Sequence, residues 1–129
     1  MASILIAEDN ATIFKLLDFR LTHLGHETIW ARDGEQALIA MRERHPDLVL
    51  LDVLMPVYDG FQVLTHAKAD PELKDIPVIM LTALGQENHV VKGMRHGADD
   101  YVIKPFSFPE VIARIEAALS RREARVTTM

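Results

Sequence analysis

Short apolar runs alternate along this chain with longer stretches of helical periodicity. The runs cover residues 3–7, 28–31, 47–51, 77–81 and 101–103. Several are continuously apolar rather than alternating, as expected of parallel strands covered by helices on both faces. The first amphipathic segment puts Phe14, Leu17, Leu21 and Leu24 on one stripe. The second starts at Asp33, with Gln36 at the spacing of a capping box, and continues through Ala37, Leu38 and Met41. Asp59 and Gln62 repeat that start signal ahead of Phe61, Leu64 and Ala67. A fourth, weaker segment carries Val90, Val91 and Met94 before Gly97 stops it. The fifth has Ser107 as its cap and Val111, Ile112, Ile115 and Leu119 as its buried face, with the run ending near Arg122 and residues 123–129 reading as a frayed tail.

Five strand–helix units in about 120 residues predict an α/β fold, one open five-stranded parallel sheet doubly wound with helices on each face. In such sheets ligands sit beyond the carboxyl ends of the strands, where strand order reverses. The total of 129 residues, 49% hydrophobic, suits one core, assigned to residues 1–122 with 123–129 as a short tail or linker stub. Fourteen basic against nineteen acidic residues leave a formal charge of -5, which argues against direct capture of nucleic acid or an anionic membrane. The absence of Cys excludes disulfides, a thiol nucleophile and cysteine metal sites. No apolar run approaches a bilayer span and none resembles a signal peptide, so the expected compartment is the cytoplasm.

The chemistry gathers at the strand ends. Glu8 and Asp9 follow the first strand, Asp52 ends the third, Thr82 and Ala83 the fourth, and Lys104 and Pro105 the fifth. If the first and third strands are neighbours, three carboxylates converge. Two like charges 4 Å apart repel by about 4 kcal/mol at an effective dielectric near 20. Such a group either raises its own pKa values or takes up a cation. Oxygen-only ligands favour a hard divalent ion; Mg²⁺ fits best and Mn²⁺ is the alternative. Lys104 and the hydroxyl of Thr82 complete a cradle for a phosphoryl group under attack by a carboxylate.

The set Glu8-Asp9, Leu51-Asp52-Val53-Leu54-Met55-Pro56-Val57-Tyr58-Asp59-Gly60, Leu81-Thr82-Ala83 and Gly97-Ala98-Asp99-Asp100-Tyr101-Val102-Ile103-Lys104-Pro105-Phe106 resembles the receiver domains of bacterial two-component response regulators. The resemblance covers residue 1 to about residue 122, with every motif in order. It implies a flavodoxin-like (βα)₅ fold with strand order 2-1-3-4-5. It also implies that Asp52 accepts phosphate from a sensor histidine kinase or phosphotransfer protein, becoming 4-aspartylphosphate. Glu8, Asp9, Asp52 and the backbone carbonyl of Leu54 would bind Mg²⁺, and Lys104 would contact the phosphate. Thr82 would turn toward the phosphate and Tyr101 would be the aromatic switch that turns inward after it. The surface of the fourth helix, fifth strand and fifth helix would then change toward a downstream effector or an output domain. A cis Lys104–Pro105 bond is also favoured.

Two rival functions are weaker. A flavin-binding electron carrier on the same fold needs a phosphate-cradling loop after the first strand, where Ala7-Glu8-Asp9-Asn10 stands instead. An aspartyl-phosphate phosphohydrolase commonly carries a second acid two residues past the nucleophile, and that position is Leu54. The chain is therefore read as a phosphoacceptor with at most slow self-phosphorylation and self-dephosphorylation, not an enzyme. Apolar Leu54 and Leu84 should not position an attacking water, so a long-lived phosphoryl group is expected. With no room for a DNA-binding domain, a stand-alone regulator or an excised receiver is expected. Asp99, Asp100, Glu110, Arg114 and Arg121 resemble the charged dimer face of the winged-helix transcription factor branch. Val90 departs from it where a basic partner for Glu110 is usual, and Lys92 lies on another azimuth. A weak phosphorylation-driven homodimer through the fourth and fifth helices is the resulting expectation. Trp30 reads as a surface or partly buried strand residue without a function, and the six histidines as solvated.

Overall fold

Successive residues of the first strand point to opposite faces of one sheet, and both sets are buried. Ile4 and Ile6 join a core with Leu17, Leu21, Val111 and Ile115, while Leu5 and Ala7 join one with Leu38, Met41, Val63 and Leu64. That double burial explains why the strand reads as a continuous apolar run. The computed structural model describes residues 1–83 and 87–127, with the side chains of 87, 89, 90, 93 and 124–127 outside that description.

The strands are β1 (Ser3–Ala7), β2 (Glu27–Ala31), β3 (Leu48–Asp52), β4 (Val78–Ala83) and β5 (Asp100–Lys104). They alternate with α1 (Ala11–His23), α2 (Gly34–Arg44), α3 (Gly60–Ala69), α4 (Glu87–Arg95) and α5 (Phe108–Thr127). All pairings are parallel in the order β2-β1-β3-β4-β5, which is the flavodoxin-like doubly wound sheet the motifs imply. The order reverses between β1 and β3, so Glu8 and Asp52 leave adjacent strands on the same edge.

Helix starts are fixed largely by short polar side chains. Asn10 caps α1 by accepting from the backbone N–H of Thr12 and Ile13. Asp59 and Gln62 form a full reciprocal box at α3. At α2 the box is displaced: Asp33 accepts from the Gln36 N–H, but the Gln36 side chain accepts from Arg32 rather than from Asp33. Ser107 caps α5 through the Glu110 N–H at 3.2 Å.

The structure corrects three local expectations. The α1 stripe buries Leu17 and Leu21, but Leu24 is half exposed because the helix has already ended at His23. Helix α5 continues past Arg122 to Thr127, so residues 123–127 extend it rather than fraying. His26 is not freely solvated: it is half-buried, and its Nδ1 accepts from the Ala2 N–H at 3.1 Å. His96 is exposed, as read from the sequence, with the Thr65 hydroxyl 3.1 Å from its Nδ1. Gly97 ends the α4 segment as expected, with φ of +100° that glycine adopts freely. Among the described residues no helix is long and apolar enough to cross a membrane.

Candidate functional site

The carboxyl ends of β1, β3 and β5 converge on a cleft of about 290 Å³ lined by Glu8, Asp9, Asp52, Leu54, Ala83 and Lys104, among others. One carboxylate oxygen from each of Glu8, Asp9 and Asp52 lies within 4.8 Å of the other two. Glu8 and Asp52 are buried whereas Asp9 is exposed. Lys104 reaches from β5 across the sheet edge: its Nζ donates to Glu8 Oε2 at 3.1 Å and to Asp52 Oδ2 at 3.2 Å. The Lys104–Pro105 peptide is cis, as the motif favours.

Electrostatics follow from this crowding. Burial, together with the hydrogen bond and negative charge of Asp52, pushes the Glu8 carboxyl up to about 7 against the opposing pull of Lys104. Desolvation works against the Lys104 ammonium, but the charges of Asp52 and Glu8 outweigh it and raise Lys104 above its ordinary value. One ammonium thus shares two buried carboxylates, and neutralisation is incomplete near neutral pH. The cluster has the chemistry of a divalent-cation site: three oxygen donors, no sulfur or imidazole, and one open side toward the cleft. The donor set fits Mg²⁺.

Leu54 lies on the cleft wall, exposed, and its N–H donates to Asp52 Oδ1 at 3.3 Å. This turn holds the Asp52 side chain beside the chain that follows it. Gly60 explains how α3 begins so near. Its N–H donates to the Val53 carbonyl at 2.8 Å, and a Cβ there would collide with the Asp52 carbonyl and lie 2.9 Å from Val53 Cα. The Asp59-Gly60 pair is therefore more than turn chemistry.

Thr82 is buried at the end of β4, with Ala83 on the cleft rim. Tyr101 is paired with Met80 and Thr82 with Ile103, so the period of two puts Thr82 and Tyr101 on the same face of the sheet. Tyr101 itself lies away from the cleft, half-buried against the core, with the Arg114 guanidinium 6.0 Å from its ring centre. Leu84 lies outside the described residues.

The charged face around β5 is largely paired within the chain. Arg114 bonds Asp100 at 2.8 Å and Glu110 at 3.4 Å, and Lys68 lies 3.7 Å from Asp99. Lys92 points at the Phe61 ring of α3, 4.6 Å from its centre, on a different azimuth from that face as expected; the Val90 side chain lies outside the described residues.

Sequence reasoning missed one participant. Trp30, left without a role, donates its indole N–H to the Glu8 carbonyl at 2.8 Å. The only available signal was its position at the end of the strand beside Glu8, which is meaningful once register is known.

Comparison with known proteins agrees with the geometry. The family model for the response regulator receiver domain matches residues 4–116. The chain belongs to the response regulator receiver domains. It is 47% identical over 125 residues to the probable transcriptional regulator ycf27 of Porphyra purpurea, covering 97% of this chain and 50% of that protein. It is 43% identical to the phosphate regulon transcriptional regulatory protein PhoB of Escherichia coli K12, covering 92% and 52% respectively. The chain spans about half the length of these curated relatives. Among solved structures, the receiver domain of NtrX from Brucella abortus superposes with a TM-score of 0.85 at 34% identity, covering 91% of this chain and 98% of that one.

Proposed function

We propose that this receiver domain carries a phosphoryl group on Asp52 and relays its presence to the α4–β5–α5 surface. The observation that supports the reading is the joint placement of Glu8, Asp9, Asp52 and Lys104 around one cleft. Glu8, Asp9 and Asp52, with the Leu54 carbonyl, would hold Mg²⁺, which when bound neutralises phosphoryl oxygens and offsets the repulsion among the three carboxylates. One Asp52 carboxylate oxygen attacks phosphorus; the P–N bond of a phosphohistidine, or the P–O bond of acetyl phosphate, breaks and its electrons leave with the donor. Lys104, already at hydrogen-bond distance from Asp52, contacts the transferred oxygens. The Thr82 hydroxyl gains a charge-assisted bond only in the modified state, and Tyr101, on the same sheet face, takes the volume it vacates.

The donor is a histidine kinase or a phosphotransfer protein. The receiver is a phosphoacceptor and not an enzyme that turns over a substrate, because the position two residues past Asp52 is the apolar Leu54. Apolar Leu54 on the cleft wall favours a long-lived phosphoryl group, and a half-life of seconds contradicts it. Because the relatives are transcriptional regulators, the output is read as control of a regulatory partner or of an attached output domain. A homodimer through α4–β5–α5 would be weak: Asp100, Glu110 and Arg114 already pair with one another.

The test is labelling by acetyl phosphate in Mg²⁺ and in chelator. Wild-type protein is expected to label only with the metal, Lys104→Ala to label less, and Asp52→Asn not at all. Undiminished labelling of Asp52→Asn, or labelling in chelator, rejects the assignment.

A further inference from the structure

Glu8 stands where the chain must leave β1 and present Asp9 to the cleft. Both of its polar backbone groups are taken by β2. Its N–H donates to the Ala31 carbonyl at 3.0 Å, and its carbonyl accepts from the Trp30 indole at 2.8 Å. The second bond extends the strand ladder with a side chain, past the point where backbone pairing stops. The indole is itself held. Phe14, on the first turns of α1, stacks on it with centroids 4.4 Å apart and planes within 4°, and the Arg32 guanidinium lies 4.3 Å from its centre. Between these braces, the Asn10 N–H turns back to Glu8 Oε1 at 3.4 Å.

The carbonyl that Trp30 holds belongs to the planar peptide joining Glu8 to Asp9, so fixing that plane fixes the direction in which Asp9 departs. Asp9 is exposed and has no side-chain partner among the described residues. The peptide before it is therefore what aims its carboxylate. We infer that Trp30 is a positioning residue for the divalent-cation site: its indole N–H, braced by Phe14, pre-orients the Glu8–Asp9 peptide so that both carboxylates face one cation. The inference rests on reading the acidic cluster as a Mg²⁺ site. Partners that orient metal ligands contribute to affinity without touching the metal.

Trp30 is the chain's single tryptophan, so a ¹H–¹⁵N spectrum of the intact protein shows one indole signal. That signal is expected to shift on Mg²⁺ titration with the midpoint found by calorimetry. Trp30→Phe keeps an aromatic ring for Phe14 and removes the donor together with the second ring of the indole. It is expected to weaken Mg²⁺ binding about five- to tenfold, with an unfolding temperature in chelator close to that of the wild type. Phe14→Leu, which keeps the donor but removes the stack, is expected to weaken binding less. Wild-type protein that binds Mg²⁺ while its indole signal stays still, with Trp30→Phe equal to it in affinity, overturns the inference and leaves the metal site standing. A loss of affinity in Trp30→Phe matched by an equivalent loss of stability in chelator also overturns it, since the indole then serves the fold alone. Wild-type protein that binds no Mg²⁺ removes the metal reading itself and the inference with it. Should Trp30→Phe fail to fold, the wild-type indole titration decides.

Discussion

Glu8 illustrates how one buried acid can tie stability to function. Its carboxyl sits at about 7 in the folded chain against an ordinary 4.5, so the folded state holds the proton more tightly than the unfolded state. Unfolding then releases protons, and the metal-free protein loses stability as pH rises through that window and levels off above it. The loss is at most about 3 kcal/mol by linkage. Urea unfolding in chelator at about pH 5 and about pH 8 checks this: wild-type protein is expected to be less stable at the higher pH, and Glu8→Gln to show a smaller difference. Lys104 shifts stability in the same direction, but in a far more alkaline window. Raised above its ordinary 10.5, it contributes stability that is intact at neutral pH and is lost only in strong alkali. A second residue-scale feature is Val57, a β-branched residue at φ +71° in a tight turn closed by the Tyr58 N–H and the Pro56 carbonyl. Its side chain is 62% exposed, so it offers little burial in return. Val57→Asn, which tolerates that backbone region, is expected to gain about 1 kcal/mol in urea unfolding.

At the scale of elements, close approach matters as much as pattern. Gly60 lets α3 start against the end of β3, and Gly60→Ala is expected to cost about 1–3 kcal/mol by overpacking and to slow labelling by displacing Asp52. Equal stability and labelling in that variant would show that the contact relaxes freely. The strands were legible because burial on both faces leaves them continuously apolar, as Leu48 to Leu51 show. The residues at their ends were legible because Asp52, Thr82 and Lys104 interrupt that apolarity. Other features were not. The displaced box at α2 depends on which of two successive N–H groups, that of Arg32 or that of Asp33, the Gln36 side chain reaches, a choice the spacing does not make. The end of α5 was placed too early because the apolar stripe stops at Leu119 while the backbone runs on to Thr127. The role of Trp30 required knowing that β2 lies beside β1 and where their ends align.

At the scale of the whole molecule, the proposed relay places chemistry and readout at different parts of the sheet. Carboxylates and lysine cluster at one edge, while Tyr101 and Asp100, the latter paired with Arg114 of α5, lie on the outer strand, with Thr82 on the same sheet face as Tyr101. Thr82→Ala is therefore expected to accept phosphate yet lose the spectral changes that phosphorylation causes in α4, β5 and α5, as followed by amide NMR. Retention of those changes would show that the signal takes another route. The central claim is that three carboxylates serve one metal so that Asp52 can carry a covalent signal. Its most direct test is peptide mapping by mass spectrometry after exposure to acetyl phosphate and Mg²⁺. The expected result is a single addition of about 80 Da, one phosphoryl group, on the peptide containing Asp52. No addition, or an addition on another peptide, contradicts the account.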